Sequence, residues 1–149
     1  RLDRTALEVG EYLERHGYLA IAVAASQIVT KKPMTGHISH RTLAQAAGLG
    51  WRGRNNLLVT EKFGAQVRLV SVLTDAPLLP DSPVEGLHCG KCRACVSACP
   101  AKAIGESPDQ FNLEACYAKL TEFTRIPFVS QHICGVCQKV CDGRVRSGG

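Results

Sequence analysis

The sequence predicts an α+β protein in two parts, a mixed helix-and-strand part followed by a small cysteine-rich part. Three observations predict it. All eight cysteines fall between Cys89 and Cys141, with none in residues 1–88. The stretch before them carries one segment of helical period and several short runs of strand character. Between the two lies Asp75 to Gly86, with Pro77, Pro80 and Pro83, a linker composition that puts the boundary near residue 80 and gives parts 1–80 and 81–149. At 149 residues, 45% hydrophobic and 21% charged, the chain is one ordinary globular domain or two small ones. The longest apolar run, Tyr18 to Ala25, is far short of the roughly 20 residues of a membrane span, so no membrane association is expected. Cysteines this closely spaced suit a reducing compartment and no leader pattern opens the chain, so the cytoplasm is the expected location. The first residue is Arg1, so upstream residues are expected.

Taken in order, residues 2–16 read as an amphipathic helix with Leu2, Ala6, Val9 and Leu13 on one face and Gly17 as its C-terminal stop. Tyr18 to Ala24 reads as a short buried strand, and Thr30 to Gly36, with Pro33, as a loop. Ser39 caps a short helix with Leu43 and Ala46 inward, ended by Gly48. Asn55 to Thr60 and Gln66 to Thr74 read as the two strands of a hairpin joined through Glu61 to Ala65. The cysteine-rich part is too small for a large apolar core and needs metal groups as staples.

Cys89, Cys92, Cys95 and Cys99, followed by Pro100, form C-x2-C-x2-C-x3-C-P, the bacterial ferredoxin run. Three thiolates within seven residues wrap one [4Fe–4S] cubane, and the fourth points away to a second cluster. Pro100 is expected to open a helix continued by Ala101 to Ile104. Cys134, Cys137 and Cys141 form a shorter second group, and Cys116 supplies its missing member. The reciprocal logic of two-cluster ferredoxins gives Cys89, Cys92, Cys95 and Cys141 to one cluster and Cys99, Cys116, Cys134 and Cys137 to the other. No cysteine is left over. Zinc is the alternative for four thiolates, though it is usually held by two separated C-x2-C pairs.

Four thiolates around a [4Fe–4S]2+ core leave −2 per site, so two sites lower the formal charge of +5 to about +1. A nucleic-acid partner is therefore not expected from charge. Gly48-Leu49-Gly50-Trp51-Arg52-Gly53 matches the dinucleotide fingerprint literally, but it follows a helix and precedes a strand, the reverse of what that site needs. The glycines read as a tight helix-to-strand turn. His37 and His40 read as ordinary surface histidines with a metal pair as the alternative. Arg41, Arg52, Arg54 and Arg68 read as a solvated face, with an anion site as the alternative. Two functions fit these motifs. One is an iron–sulfur oxidoreductase or reductase subunit passing low-potential electrons through both clusters. The other is a ferredoxin-like electron carrier whose N-terminal part only docks partner proteins. Either implies a redox partner protein as donor or acceptor.

The run Ala47 to Asn56, then Leu57 to Thr60, then Arg68 to Asp75, the proline-rich stretch and both cysteine groups together resemble the epoxyqueuosine reductase family, whose relatives include the reductive dehalogenases. The resemblance spans about residues 33–142. It implies a partial nitroreductase-like α/β domain before the ferredoxin-like domain. It also implies a cobalamin or other corrinoid cradled near Leu58 and Leu69, with one cluster as its electron donor. Counting back from Gly50, the family's catalytic aspartate falls at Met34, so no catalytic residue is named. The shorter double-cluster relatives are the nearer likeness.

Overall fold

In the computed structural model the described residues are 1–25, 28–31 and 34–144. Elements run in the order α1 (Leu2–Arg15), β1 (Ala20–Val23), β2 (Thr30–Lys31), β3 (Met34–Thr35), α2 (His40–Ala46), β4 (Trp51–Arg52), β5 (Leu58–Val59), β6 (Ser71–Thr74), α3 (Ala94–Ala98), a 3-10 turn (Pro108–Gln110), α4 (Leu113–Phe123) and α5 (Val136–Lys139). The strands make three two-stranded antiparallel sheets, β1–β6, β2–β3 and β4–β5. The fold is thus α+β. Among the described residues no helix is long and apolar enough to cross a membrane.

Two compact units divide the chain, Arg1–Leu49 with Arg68–Pro83, and Gly50–Val67 with Val84–Gly149. One junction falls beside Pro83, close to the boundary expected from the prolines. The other two were not expected. Gly50–Val67 packs with the cysteine-rich part, because Trp51, Val59 and Ala65 bury together and Leu57, Leu87 and Cys141 pack against them.

In the first unit α1 lies on the β1–β6 ribbon. It ends as its sequence requires: Gly17 takes φ +86, its N–H reaches the Glu14 carbonyl at 2.9 Å, and the Tyr18 N–H reaches that of Leu13 at 3.2 Å. Of the expected face Ala6 is buried and Leu2 and Leu13 are half-buried, while Val9 is exposed and Gly10 is buried in its place. The expected buried strand is a two-stranded ribbon whose Ile21 is 64% exposed. Ala20 pairs with Thr74 and Val23 with Ser71, so β6 does not form the expected hairpin with the 55–60 segment. Asp75 Oδ1 accepts from the Leu19 N–H at 2.7 Å and locks the ribbon's end. The loop expected at 30–36 holds the short β2–β3 pair, and Pro33 lies outside the described residues. Ser39 caps α2 by accepting from the Thr42 N–H at 3.2 Å. Here too the inward residue is Ala44, with Leu43 and Ala46 exposed.

In the second unit Gly48-x-Gly50 has already turned the chain from helix to strand. Trp51 pairs with Val59 and Arg52 with Leu58, and Asn56 at φ +60 closes the hairpin between them. The helix expected to begin at Pro100 lies before it. α3 ends at Ala98, and Cys99 is extended at ψ 113. Proline disfavours helical backbone in the residue it follows, so Pro100 stops this helix rather than starting one.

Candidate metal centre

Each cysteine group is built as a left-handed glycine followed by a short helix. Gly90, after Cys89, has φ +50, and Gly135, after Cys134, has φ +75. Without a Cβ these residues let the chain turn back, and the Cys92 N–H closes the first loop on the Cys89 carbonyl at 3.0 Å. Cys95 sits in the first turn of α3 and Cys137 in that of α5, and these two helices pack on each other. Cys99 and Cys141 follow the ends of the same helices. This repetition is the internal duplication suggested by the spacing. Cys116 comes from α4, whose cap Asn112 accepts from the Ala115 N–H at 2.9 Å.

The thiols gather in two sets. Burial pushes the Cys95 thiol up to about 11, and Cys89, Cys141 and Cys92 beside it push the same way. Burial raises Cys141 too, with Cys89 and Cys92 adding to it and the backbone N–H groups of Gly143 and Ala65 pulling it down. Cys116 is raised by burial and then by Cys99 and Cys134. Cys137 is pushed up to about 11 by burial, then by Cys134, Cys99, Cys116 and, last, Cys95. Among the described residues no three histidine, cysteine or acidic side chains stand close enough to share one metal ion. The two sets adjoin through Cys95 and Cys137.

Segment 50–67 holds both groups in place. The Arg54 side chain, 15% exposed, donates to the Gly90 carbonyl at 2.9 Å and the Cys92 carbonyl at 3.1 Å, clamping the first loop. Buried Asn55 reaches the Cys137 carbonyl at 3.5 Å. In return Gln138 donates to the Ala65 carbonyl at 2.8 Å. Gly64 and Gly143 meet backbone on backbone, and a Cβ on Gly64 would overlap the Cys141 carbonyl. That contact sets where Cys141 stands.

A cavity lined by Cys89, Cys92, Cys95 and Cys141 also takes in Trp51 and Arg54. The Trp51 Nε1–H and the Arg54 Nε–H are buried with no hydrogen-bond partner. Arg54 Nε has the Glu106 carboxylate at 4.0 Å, and an unmet buried donor costs about 1–3 kcal/mol, so the indole N–H suits an acceptor placed within the cavity. Soft thiols in fours beside such a donor fit a sulfide-bearing cluster.

Other residues singled out from sequence have different work. Both ring nitrogens of His40 are engaged, Nδ1 with Ser71 Oγ at 2.8 Å and Nε2 with the Ala24 carbonyl at 3.1 Å, so His40 is a structural tie and not half of a metal pair. Arg52 is not part of a solvated face either: it pairs with Asp109 at 2.8 Å and with Asn56 Oδ1 at 2.8 Å. Leu58 is 3% exposed and turned into the second unit, while Leu69 is half-buried in the first. Trp51 and Arg54 were missed as neighbours of the thiols. The available signal was an Arg and the chain's one Trp set among glycines that read only as a turn.

No family model matches the chain. It is 36% identical over 116 residues to the epoxyqueuosine reductase of Listeria monocytogenes, covering 72% of this chain and 30% of that protein. It is 33% identical over 150 residues to that of Aliivibrio fischeri, covering 95% and 37%. The tetrachloroethene reductive dehalogenase of Desulfitobacterium hafniense is 36% identical over 139 residues, 90% of this chain and 23% of that one. Among solved structures, an epoxyqueuosine reductase with an epoxyqueuosine-modified stem loop of tRNA-Tyr superposes with a TM-score of 0.66 at 30% identity, covering 93% of this chain and 36% of that one. The Bacillus subtilis reductase gives 0.67 at 28% identity, covering 97% and 38%. The chain resembles the epoxyqueuosine reductase family and spans about a third of the length of the relatives it matches.

Proposed function

We propose that this chain is the electron-transfer portion of a reductase related to the epoxyqueuosine reductases, with two [4Fe–4S] clusters held by Cys89, Cys92, Cys95 and Cys141 and by Cys99, Cys116, Cys134 and Cys137. The observation that carries this reading is the gathering of eight thiols into two sets of four with none left over. Bound there, the clusters supply one-electron transfer at low potential. The chain's own contribution is positional. Gly90 and Gly135 turn the loops, α3 and α5 aim one thiol each, and Arg54, Asn55 and Gln138 tie the loops to segment 50–67. Cys95 and Cys137 are where the two sets adjoin, which makes that pair the path between them.

The architecture proposed is a partial nitroreductase-like part with a ferredoxin-like part, the latter including residues 50–67. A corrinoid is the acceptor the relatives suggest. Leu58, 3% exposed, and Leu69, half-buried, are the residues proposed to lie near it. A nucleic-acid substrate, not expected from the charge balance, returns as a proposal because a related structure holds a modified tRNA stem loop. The position expected to carry the acid is Met34, in β3.

Anaerobic analysis for iron, acid-labile sulfide and cobalt, with a visible spectrum, tests the reading. About eight iron and eight sulfide per chain are expected. Two zinc ions and no visible absorption would overturn it. Cobalt retained with the clusters supports a corrinoid acceptor, and clusters alone favour the ferredoxin-like carrier.

A further inference from the structure

Trp51 lies in β4 and is 5% exposed. Its ring packs with Val59 and Ala65, and Cys141 packs against that group. It lines the same cavity as Cys89, Cys92, Cys95 and Cys141, and its indole N–H finds no acceptor in the protein. Asp142 is the one carboxylate on this wall, and it accepts from the Arg144 N–H at 3.2 Å. A buried tryptophan ordinarily spends its N–H on a partner, so the acceptor belongs in the cavity. Among the described residues the only buried side-chain nitrogens without a hydrogen-bond partner are this one and Arg54 Nε, and Arg54 Nε has the Glu106 carboxylate at 4.0 Å, which leaves the indole N–H as the donor without a partner group.

We propose that the Trp51 indole N–H donates a hydrogen bond to a sulfur of the cluster held by Cys89, Cys92, Cys95 and Cys141, and thereby raises that cluster's reduction potential. The inference rests on the cluster assignment above. Reduction adds one electron to a [4Fe–4S]2+ core and gives [4Fe–4S]1+, while the indole keeps its proton. A donor to sulfur stabilises the more negative state more, and the fixed guanidinium charge of Arg54 acts in the same direction. In the second set the Ala103 backbone N–H donates to Cys99 Sγ at 3.4 Å, so each set has its own donors and the indole acts on the first cluster alone. Trp51 is thus a positioning and tuning residue.

The chain holds a single tryptophan, so labelling with 15N-indole tryptophan reports on Trp51 alone. In the cluster-loaded chain with both clusters reduced, pulsed EPR is expected to show coupling to the indole nitrogen and to a proton that disappears in D2O. A reduced, fully loaded protein without either coupling overturns the proposal, and this measurement needs no variant to fold. In Trp51→Phe, one of the two reductive waves should move to lower potential and the other should stay. The ratio of reduced to oxidised cluster at fixed potential should fall on the order of tenfold, about 59 mV for a one-electron couple. Waves that both stay, or that move together, count against it. Loss of the cluster assignment itself reads differently: the unlabelled wild-type chain would then carry no iron, no sulfide and no EPR signal.

Discussion

Cys95, in the first thiol set, is 8% exposed, whereas Cys134, in the second, lies open at the surface. The two sets repeat one local design, a left-handed glycine and a short helix, yet they have different walls. The first is backed by segment 50–67: Trp51 beside Cys141, Arg54 across the Cys89–Cys92 loop, Gly64 against the Cys141 backbone. The second is tied to the same segment only through Asn55 and Gln138 and carries α4, where Tyr117 stacks on His132 at 5.0 Å and Thr121 Oγ1 meets His132 Nε2 at 3.2 Å. Repetition supplies the cysteine loops, and the added segment encloses one of them more than the other. The proposed clusters would thus meet different surroundings without any change in the cysteine pattern.

Removing a ligand gives the largest effect. If the sets are reciprocal, Cys141→Ala should remove the cluster of the first set, although Cys141 is far along the chain from Cys89. Cys99→Ala should match Cys116→Ala instead of Cys95→Ala. Each variant should lose about four iron and four sulfide per chain, read by chemical analysis and EPR. Loss of the same cluster from Cys99→Ala and Cys95→Ala would break the comparison, since each motif would then serve its own centre. Because ligand binding is also folding energy, the second unit should lose protection against denaturant in every one of these variants.

A smaller effect, confined to the enclosed set, is expected from Gly64→Ala. The residue has φ +56, and the new Cβ would overlap the Cys141 carbonyl. Left-handed strain and a clash with backbone together should cost roughly 2–4 kcal/mol, measured by denaturation of the loaded chain. Gly86→Ala is the control: its φ is +72, but no atom lies within 4 Å of an added Cβ, so only about 1 kcal/mol is expected. Equal losses at the two positions would mean that the Gly64–Gly143 contact does not hold Cys141. Next comes Arg54→Ala, which leaves the Gly90 and Cys92 carbonyls without their clamp at a cost of about 2 kcal/mol. It should speed iron loss from the first set and leave the second set at its wild-type rate.

What the sequence discloses follows the range of the interactions involved. The stops at Gly17 and Gly48 and the cap at Ser39 are local, and all were legible. The turn at Cys89 is local too, since the Cys92 N–H closes on the Cys89 carbonyl three residues back. Segment 50–67 was assigned to the wrong neighbours since its partners are distant. Arg54 reaches a carbonyl 38 positions away, Asn55 one 82 away, and Gln138 reaches back 73. No periodicity records such contacts. Pro100 was misplaced for a different reason: one residue can open a helix or stop one, and only the backbone of Cys99 distinguishes the two. In α1 only Val9 left the expected face, with Gly10 buried instead, whereas in α2 the inward residue is the small Ala44 and not Leu43 or Ala46.

The smallest effect concerns the surface of the better-walled set. Glu106 pairs with Arg93, which follows Cys92, and it lies 4.0 Å from Arg54 Nε. The hydrogen bond from Arg93 holds the Glu106 carboxyl below its ordinary value, and the charges of Arg93 and Arg54 act in the same direction. A carboxyl depressed in the folded state contributes stability that is present above its unfolded pKa and is lost as pH falls through the folded one. Both side chains are more than half exposed, so solvent screens most of that contribution. Glu106→Gln should therefore shift the urea midpoint of the loaded chain only slightly at neutral pH, and the difference from wild type should close in acid. Adding salt should shrink it further, since exposed charges are screened within about 10 Å at 0.1 M. A large, salt-independent loss would mean that Glu106 works through buried Arg54, making the ion pair part of the clamp on the first loop and widening the contrast between the two sets.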